Sequence, residues 1–124
     1  MTDIIKNLIE AGIEGGFTPE GRPFSITEGS QPGELWEDYK LLDEFSESEQ
    51  CQILSWIREH ITPRSTENTS RTSYGLKHDF ENDGGFYMTN NQFKDAMNQA
   101  GFQPVDETQL NWTYRINILN DRKR

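Results

Sequence analysis

Six consecutive residues, Ser73-Tyr74-Gly75-Leu76-Lys77-His78, hold the densest chemistry in the chain. On a helix Tyr74 and His78 stand one turn apart on one face, with Lys77 beside them. An imidazole exchanges protons near neutral pH. A lysine and a tyrosine can bind a phosphate or stabilise the charge of a phosphorane. Tyr74, Lys77 and His78 together would suit a metal-free ribonuclease. Acid–base cleavage normally needs both an acid and a base, and the other histidine, His60, is remote in sequence. The plainer reading is that Tyr74 and His78 pack and hydrogen-bond within the fold, while Lys77 is solvated.

Other reactive residue types are isolated. His60 falls at the end of an expected helix, where the dipole favours its charged form and a capping role. Asp79, Glu81 and Asp83 fall on different helix faces, and Gly84 and Gly85 add no ligand, so the spacing fits no calcium loop. Cys51 has acidic neighbours and no basic one to activate it, which predicts an ordinary, partly buried thiol. No metal and no cofactor is expected. Two capped helices, 72–82 and 90–100, also invite a helix-turn-helix reading, with Asn90, Asn91, Gln92 and Lys94 turned toward bases. DNA-binding domains usually carry a basic footprint, and this half of the chain is only neutral.

The elements that must position these groups are legible in the spacing. Ile4, Ile5, Leu8 and Ile9 form one stripe, so residues 2–12 read as a short helix ended by Gly12, Gly15 and Gly16. Residues 15–34 read as loop, with a possible short strand at 23–27. Leu35, Trp36, Tyr39 and Leu42 could make one or two helical turns. Ser46 with Glu49 is a capping box opening a helix over 46–61, and Pro63 stops it. Residues 62–73 are polar and hydroxyl-rich, which predicts a flexible connection. Gly84-Gly85 ends the helix 72–82, and Phe86-Tyr87-Met88 is a brief extended segment. Thr89 with Gln92 repeats the capping pattern, and Gly101 sits where a C′ glycine belongs. Trp112, Tyr114, Ile116 and Ile118 alternate with Thr113, Arg115 and Asn117, the period of a strand. The tail 121–124 is expected to fray.

Composition narrows the class. The chain has 124 residues, 32% of them hydrophobic, with 7 Phe, 4 Tyr and 3 Trp to fill a small core. No apolar run approaches a membrane span, and the N-terminus lacks the features of a signal peptide. One cysteine excludes an internal disulfide framework and a cysteine-rich zinc site. A soluble, cytoplasmic protein is expected. The net charge is −9, and all of it falls in residues 1–62. The stretch from Glu28 to Glu49 is densest, with Lys40 its single base. Such a field repels nucleic acid and attracts basic surfaces; its simplest role is a solvated face.

The run Ser73–His78 is followed by Gly85-Phe86-Tyr87-Met88-Thr89-Asn90, Gln92-Phe93-Lys94, Ala96-Met97, Ala100-Gly101-Phe102 and Leu110-Asn111-Trp112. Together these resemble a module of small proteins from Firmicutes phages, plasmids and conjugative elements. Some proteins with similar modules are type II-A anti-CRISPR proteins. The resemblance covers roughly residues 70–118. It implies an inhibitor of an RNA-guided Cas nuclease, acting in a bacterial cell. Some members block loading of the guide RNA, and a relative shortens the guide. The common Asn-Gly before Gln-Phe-Lys is Asn90-Asn91 here, and asparagine still tolerates a left-handed turn.

A nuclease of this kind holds nucleic acid in positively charged channels, and an acidic face could occupy one in place of phosphate. The contact residues would be Glu34, Glu37, Asp38, Asp43, Glu44, Glu47 and Glu49, with Trp36 and Tyr39 as aromatic anchors. Trp36 and Tyr39 would also permit a dimer. The expected architecture is α+β, a small single domain of about four helices with a small antiparallel sheet. Its subregions would be an acidic helical part (1–62), a connection (63–73) and the module (74–120). The expected activity is binding to the type II effector nuclease. The alternatives are a ribonuclease acting on guide RNA through Tyr74, Lys77 and His78, and a helix-turn-helix regulator.

Overall fold

The computed structural model describes residues 7, 10–25 and 41–119. Among them run β1 (Gly15–Phe17), β2 (Pro23–Ser25), a 3-10 turn (Leu42–Glu44), α1 (Glu47–His60), β3 (Ile61–Asn68), α2 (Ser73–Asn82), α3 (Asn90–Gln99) and β4 (Tyr114–Ile118). The architecture is α+β, with two separate two-stranded antiparallel sheets, β1–β2 and β3–β4. Three α-helices lie among the described residues, where about four were expected. Most of the predicted helix 2–12 and the turns predicted at 35–42 fall outside the described residues, although Ala11 N–H donates to Asn7 O at 3.0 Å.

Both capping boxes form. Ser46 Oγ accepts from Glu49 N–H while Glu49 Oε1 accepts from Ser46 N–H. Thr89 and Gln92 make the same reciprocal pair at the start of α3. Each box satisfies two donors that a helix start leaves open, worth about 1 kcal/mol. α1 ends at His60, as Pro63 requires. Its stripe of Ile53, Trp56 and Ile57 meets Phe80 from α2 and Phe93 and Met97 from α3 in one core. Trp56 is set edge-on to Phe80 at 5.8 Å and to Phe93 at 6.5 Å. Trp112, Tyr114 and Ile116 point inward and Arg115 and Asn117 outward, the alternation predicted from the spacing.

Two stretches differ from expectation. Residues 61–68, expected within a flexible connection, form β3 and pair with β4. The register runs Ile61↔Ile118, Thr62↔Asn117 and Pro63↔Ile116, then slips to Asn68↔Tyr114. The Arg64 guanidinium bridges the slip by donating to Thr66 O and Glu67 O, and Asn68 Nδ2–H donates to Ile116 O. Only Ile61 and Asn68, at the ends of the strand, are buried. A bulged, mostly exposed strand therefore leaves no alternating apolar signal.

The second difference is β1, inside a stretch read as loop. The hairpin closes through Thr18 N–H to Arg22 O and Gly21 N–H to Thr18 O. Gly15 shows why glycine stands in a strand here. A Cβ at that position would lie 2.6 Å from Gln109 O, so the backbone of the 107–109 turn can approach only a residue without a side chain.

Candidate functional site

The predicted cluster sits on α2, and its floor is a set of hydrogen bonds. Ser73 N–H donates to Trp112 O at 2.7 Å, and Trp112 N–H donates to Ser73 Oγ at 3.0 Å. Ser73 Oγ–H donates to Asn90 Oδ1, while Asn90 Nδ2–H reaches Leu110 O and Asn111 Oδ1. This ties the starts of α2 and α3 to the entry of β4. Ser73, Asn90 and Trp112 are thereby fixed as scaffold.

Glu81 organises the surface above that floor. Its Oε2 pairs with Lys77 Nζ at 3.0 Å and accepts Met88 N–H at 3.1 Å. Its Oε1 lies 3.0 Å from His78 Nδ1. Lys77 is only 4% exposed, contrary to both readings of it: neither solvated nor open to a phosphate. Its ammonium lies 5.1 Å from the Tyr74 ring centroid and 5.0 Å from that of Tyr87. Tyr74 stands edge-on to His78 at 4.4 Å. Tyr74 is 50% exposed and Tyr87 71%. The structure thus brings Tyr74, Lys77 and His78 together, as predicted, but gives Lys77 a structural partner. The His78 side chain is 43% exposed, and an imidazole open to solvent can take a proton from a hydroxyl.

Glu81 was legible, since it stands at i+4 from Lys77 and i+3 from His78. Tyr87 was not, because it reaches the cluster from the 83–89 connection. The other two carboxylates serve elsewhere. Asp79 takes the Arg71 guanidinium. Asp83 accepts from Trp56 Nε1–H at 2.9 Å and faces His60 Nε2 at 3.3 Å. His60 is buried, stacked on Trp56 at 4.5 Å, with Nδ1–H donating to Trp56 O. It is a packing residue as well as a helix-end one. Cys51 is exposed rather than partly buried.

The acidic stretch is described only in part. Glu34, Trp36, Glu37, Asp38 and Tyr39 lie outside the described residues. Asp43, Glu44 and Glu47 are exposed on the 3-10 turn and the first turn of α1; Glu49 is half-buried in its capping box. Asp43 is 3.6 Å from Arg22 Nη1 with its side chain 66% exposed, a loose pair. The turn is anchored from beneath. Asp95 of α3, with a side chain 1% exposed, accepts Leu42 N–H at 2.9 Å and Arg22 Nη2–H at 2.8 Å. The hydrogen bond that Arg22 donates to Asp95 raises the Arg22 pKa further above its already high value.

Of the residues nominated for base contacts on α3, Asn91, Gln92 and Lys94 are buried and Asn90 is half-buried. Lys94 Nζ donates to Ser25 Oγ at 2.9 Å and lies 4.3 Å over the Trp112 ring. Ser25 Oγ–H in turn donates to Asn91 Oδ1. The seven residues between α2 and α3 also exceed the 3–4-residue turn of a helix-turn-helix. Gln92, Lys94 and Asn98 of α3 donate to Leu41 O, Ser25 Oγ and Gly21 O, so these side chains bind the first half of the chain rather than forming the reading face of the helix-turn-helix alternative. A groove of about 340 Å³ between α1 and the end of α3, lined by residues including Leu54, Arg58 and Phe102, contains none of the predicted site residues. Among the described residues no helix is long and apolar enough to cross a membrane. No family model, curated protein or solved structure matches the chain.

Proposed function

We propose that this chain is an anti-CRISPR inhibitor that binds a type II RNA-guided nuclease and interferes with guide RNA loading through an acidic surface. The observation that carries this reading is the exposure of Asp43, Glu44 and Glu47 within five residues, on the first turn of α1 and on a 3-10 turn pinned through Leu42 N–H to buried Asp95. Fixed carboxylates in solvent attract a basic channel over a long range. The net charge of −9 strengthens the same field. The resemblance of residues 70–118 to modules of mobile-element proteins supports the same class. The test is a guide-loading assay in which the nuclease meets the inhibitor before or after its guide RNA. Inhibition only in the first order, with the guide recovered intact, is the expected result. Equal inhibition in both orders contradicts interference with loading.

A second reading is favoured by a specific geometry. His78, oriented by Glu81, could act as general base toward an RNA 2′-hydroxyl, with Tyr74 at its edge. Lys77 would not take part, because Glu81 holds it. Guide RNA incubated with the protein and resolved on a denaturing gel separates the two readings. Shortened guide, lost on His78→Gln, supports the ribonuclease. Intact guide with a depleted nuclease–guide complex supports the binder.

A further inference from the structure

We propose that Pro63 and Arg64 close the outer edge of β3, so that a second copy of this chain cannot add its own β3 there. β3 and β4 form a two-stranded sheet, and among the described residues no strand pairs with β3 on its other side. β3 runs for eight residues, most of them exposed. An open strand edge is a template for pairing with a like strand. A second β3 approaching antiparallel about a two-fold axis would join two such sheets into one of four strands. Nothing in this inference depends on the nuclease.

The register shows which backbone groups face that edge. Leu119 N–H donates to His60 O, and Ile61↔Ile118, Thr62↔Asn117 and Pro63↔Ile116 continue in the same register. Bonded and non-bonded pairs alternate along an antiparallel ladder. Thr62↔Asn117 is therefore a bonded pair, and Ile61 and Pro63 turn their backbone groups away from β4. Neither offers a donor there. Ile61 N–H is held by Ile57 O at the end of α1, and Pro63 has no N–H. Farther along the strand it is acceptors that are taken. Arg64 Nε–H and Nη2–H donate to Thr66 O and Glu67 O at 2.9 and 2.8 Å. The register slip between Pro63 and Asn68 adds local twist and bend, which a straight partner strand cannot follow. Proline, a cationic side chain and a bulge are each a way to blunt an edge. Here all three fall between Pro63 and Asn68.

The experiment compares the full chain as wild type, Arg64→Ala and Pro63→Thr/Arg64→Ala. Light scattering over a concentration series gives the mean mass, and NMR gives the exchange rate of each backbone amide. The double variant restores a donor at position 63 and frees both carbonyls. Its mean mass should climb with concentration toward about twice that of wild type, and the amide introduced at position 63 should exchange more slowly as the mass rises. Wild type should show no such climb. A double variant whose mass follows that of wild type at every concentration overturns the proposal. So does a climb that leaves the amide at position 63 exchanging freely, because the contact then lies elsewhere. Pro63 also stops α1, so the double substitution can disturb the fold. Arg64→Ala keeps that stop and should climb in the same direction by a smaller amount. If the double variant does not fold, an Arg64→Ala mass equal to that of wild type overturns the proposal.

Discussion

The two halves of the chain use their carboxylates in opposite ways. In the module, Asp79, Glu81, Asp83 and Asp95 each hold a named donor; Asp83 reaches α1 through Trp56, Asp95 the 3-10 turn through Leu42 N–H, and Glu81 the 83–89 connection through Met88 N–H. On the 3-10 turn and the first turn of α1, Asp43, Glu44 and Glu47 stand in solvent, and among the described residues Asp43 alone of the three is given a basic partner, Arg22 at 3.6 Å. The first set does the work of a scaffold, where an unpaired buried group would be costly. The second set is free to meet a partner. Asp95 joins the two, because the scaffold carboxylate of α3 is the one that anchors the acidic turn. The difference explains how a chain can be neutral in one half and strongly acidic in the other without losing its core.

Asp95→Ala gives the largest expected effect. It leaves the buried Leu42 N–H without its acceptor and the partly exposed Arg22 without its main partner, and should cost about 3 kcal/mol in urea unfolding. An unchanged midpoint would mean that the turn is not pinned by this carboxylate. Glu81→Gln comes next. It keeps the shape but weakens the bonds to Lys77, His78 and Met88 N–H, for about 2 kcal/mol by the same assay. Glu44→Gln and Glu47→Gln should lie within about 0.5 kcal/mol of wild type, as expected for exposed side chains away from the core. A loss comparable with Glu81→Gln would erase the contrast between the two sets.

The smallest effect concerns Asp106. Hydrogen bonds from the Thr108 side chain and backbone, and from Gln109, lower its carboxyl pKa below the ordinary value of 3.8. A depressed folded pKa adds stability that is present above the unfolded value and lost as pH falls through the folded one. Local loosening of the 106–109 turn is therefore expected only below about pH 4. Acid titration followed by backbone NMR should show it in wild type and not in Asp106→Asn.

Local rules were legible wherever a few adjacent residues settle the outcome. The Ser46/Glu49 and Thr89/Gln92 boxes, the stop before Pro63 and the alternation from Trp112 to Ile116 all follow from spacing. The clustering of Tyr74, Lys77 and His78 on one helix followed in the same way. Partners distant in sequence were not legible. β3 carries no apolar alternation because only its two ends are buried; Asn68 donates across to Ile116 O of β4, and Arg64 donates to carbonyls of β3 itself. Lys94 reads as a surface residue until the hairpin places Ser25 against it, 69 positions away. Lys77 reads as a phosphate ligand until Glu81 and two tyrosine rings enclose it. For Asn68 and Lys94 the partner is long-range; for Lys77 it is the neighbouring Glu81, at i+4, that converts a solvent-type residue into scaffold.

The central claim is that the exposed carboxylates of the turn and the start of α1 are what a basic nuclease meets first. The direct measurement is the association rate with guide-free nuclease across a salt series, for wild type and for Asp43→Lys/Glu44→Lys/Glu47→Lys. Wild type should associate fast and slow steeply with salt, and the reversed variant should be at least about tenfold slower with a nearly flat salt dependence. Equal rates with equal salt slopes would show that these carboxylates are only a solvated face.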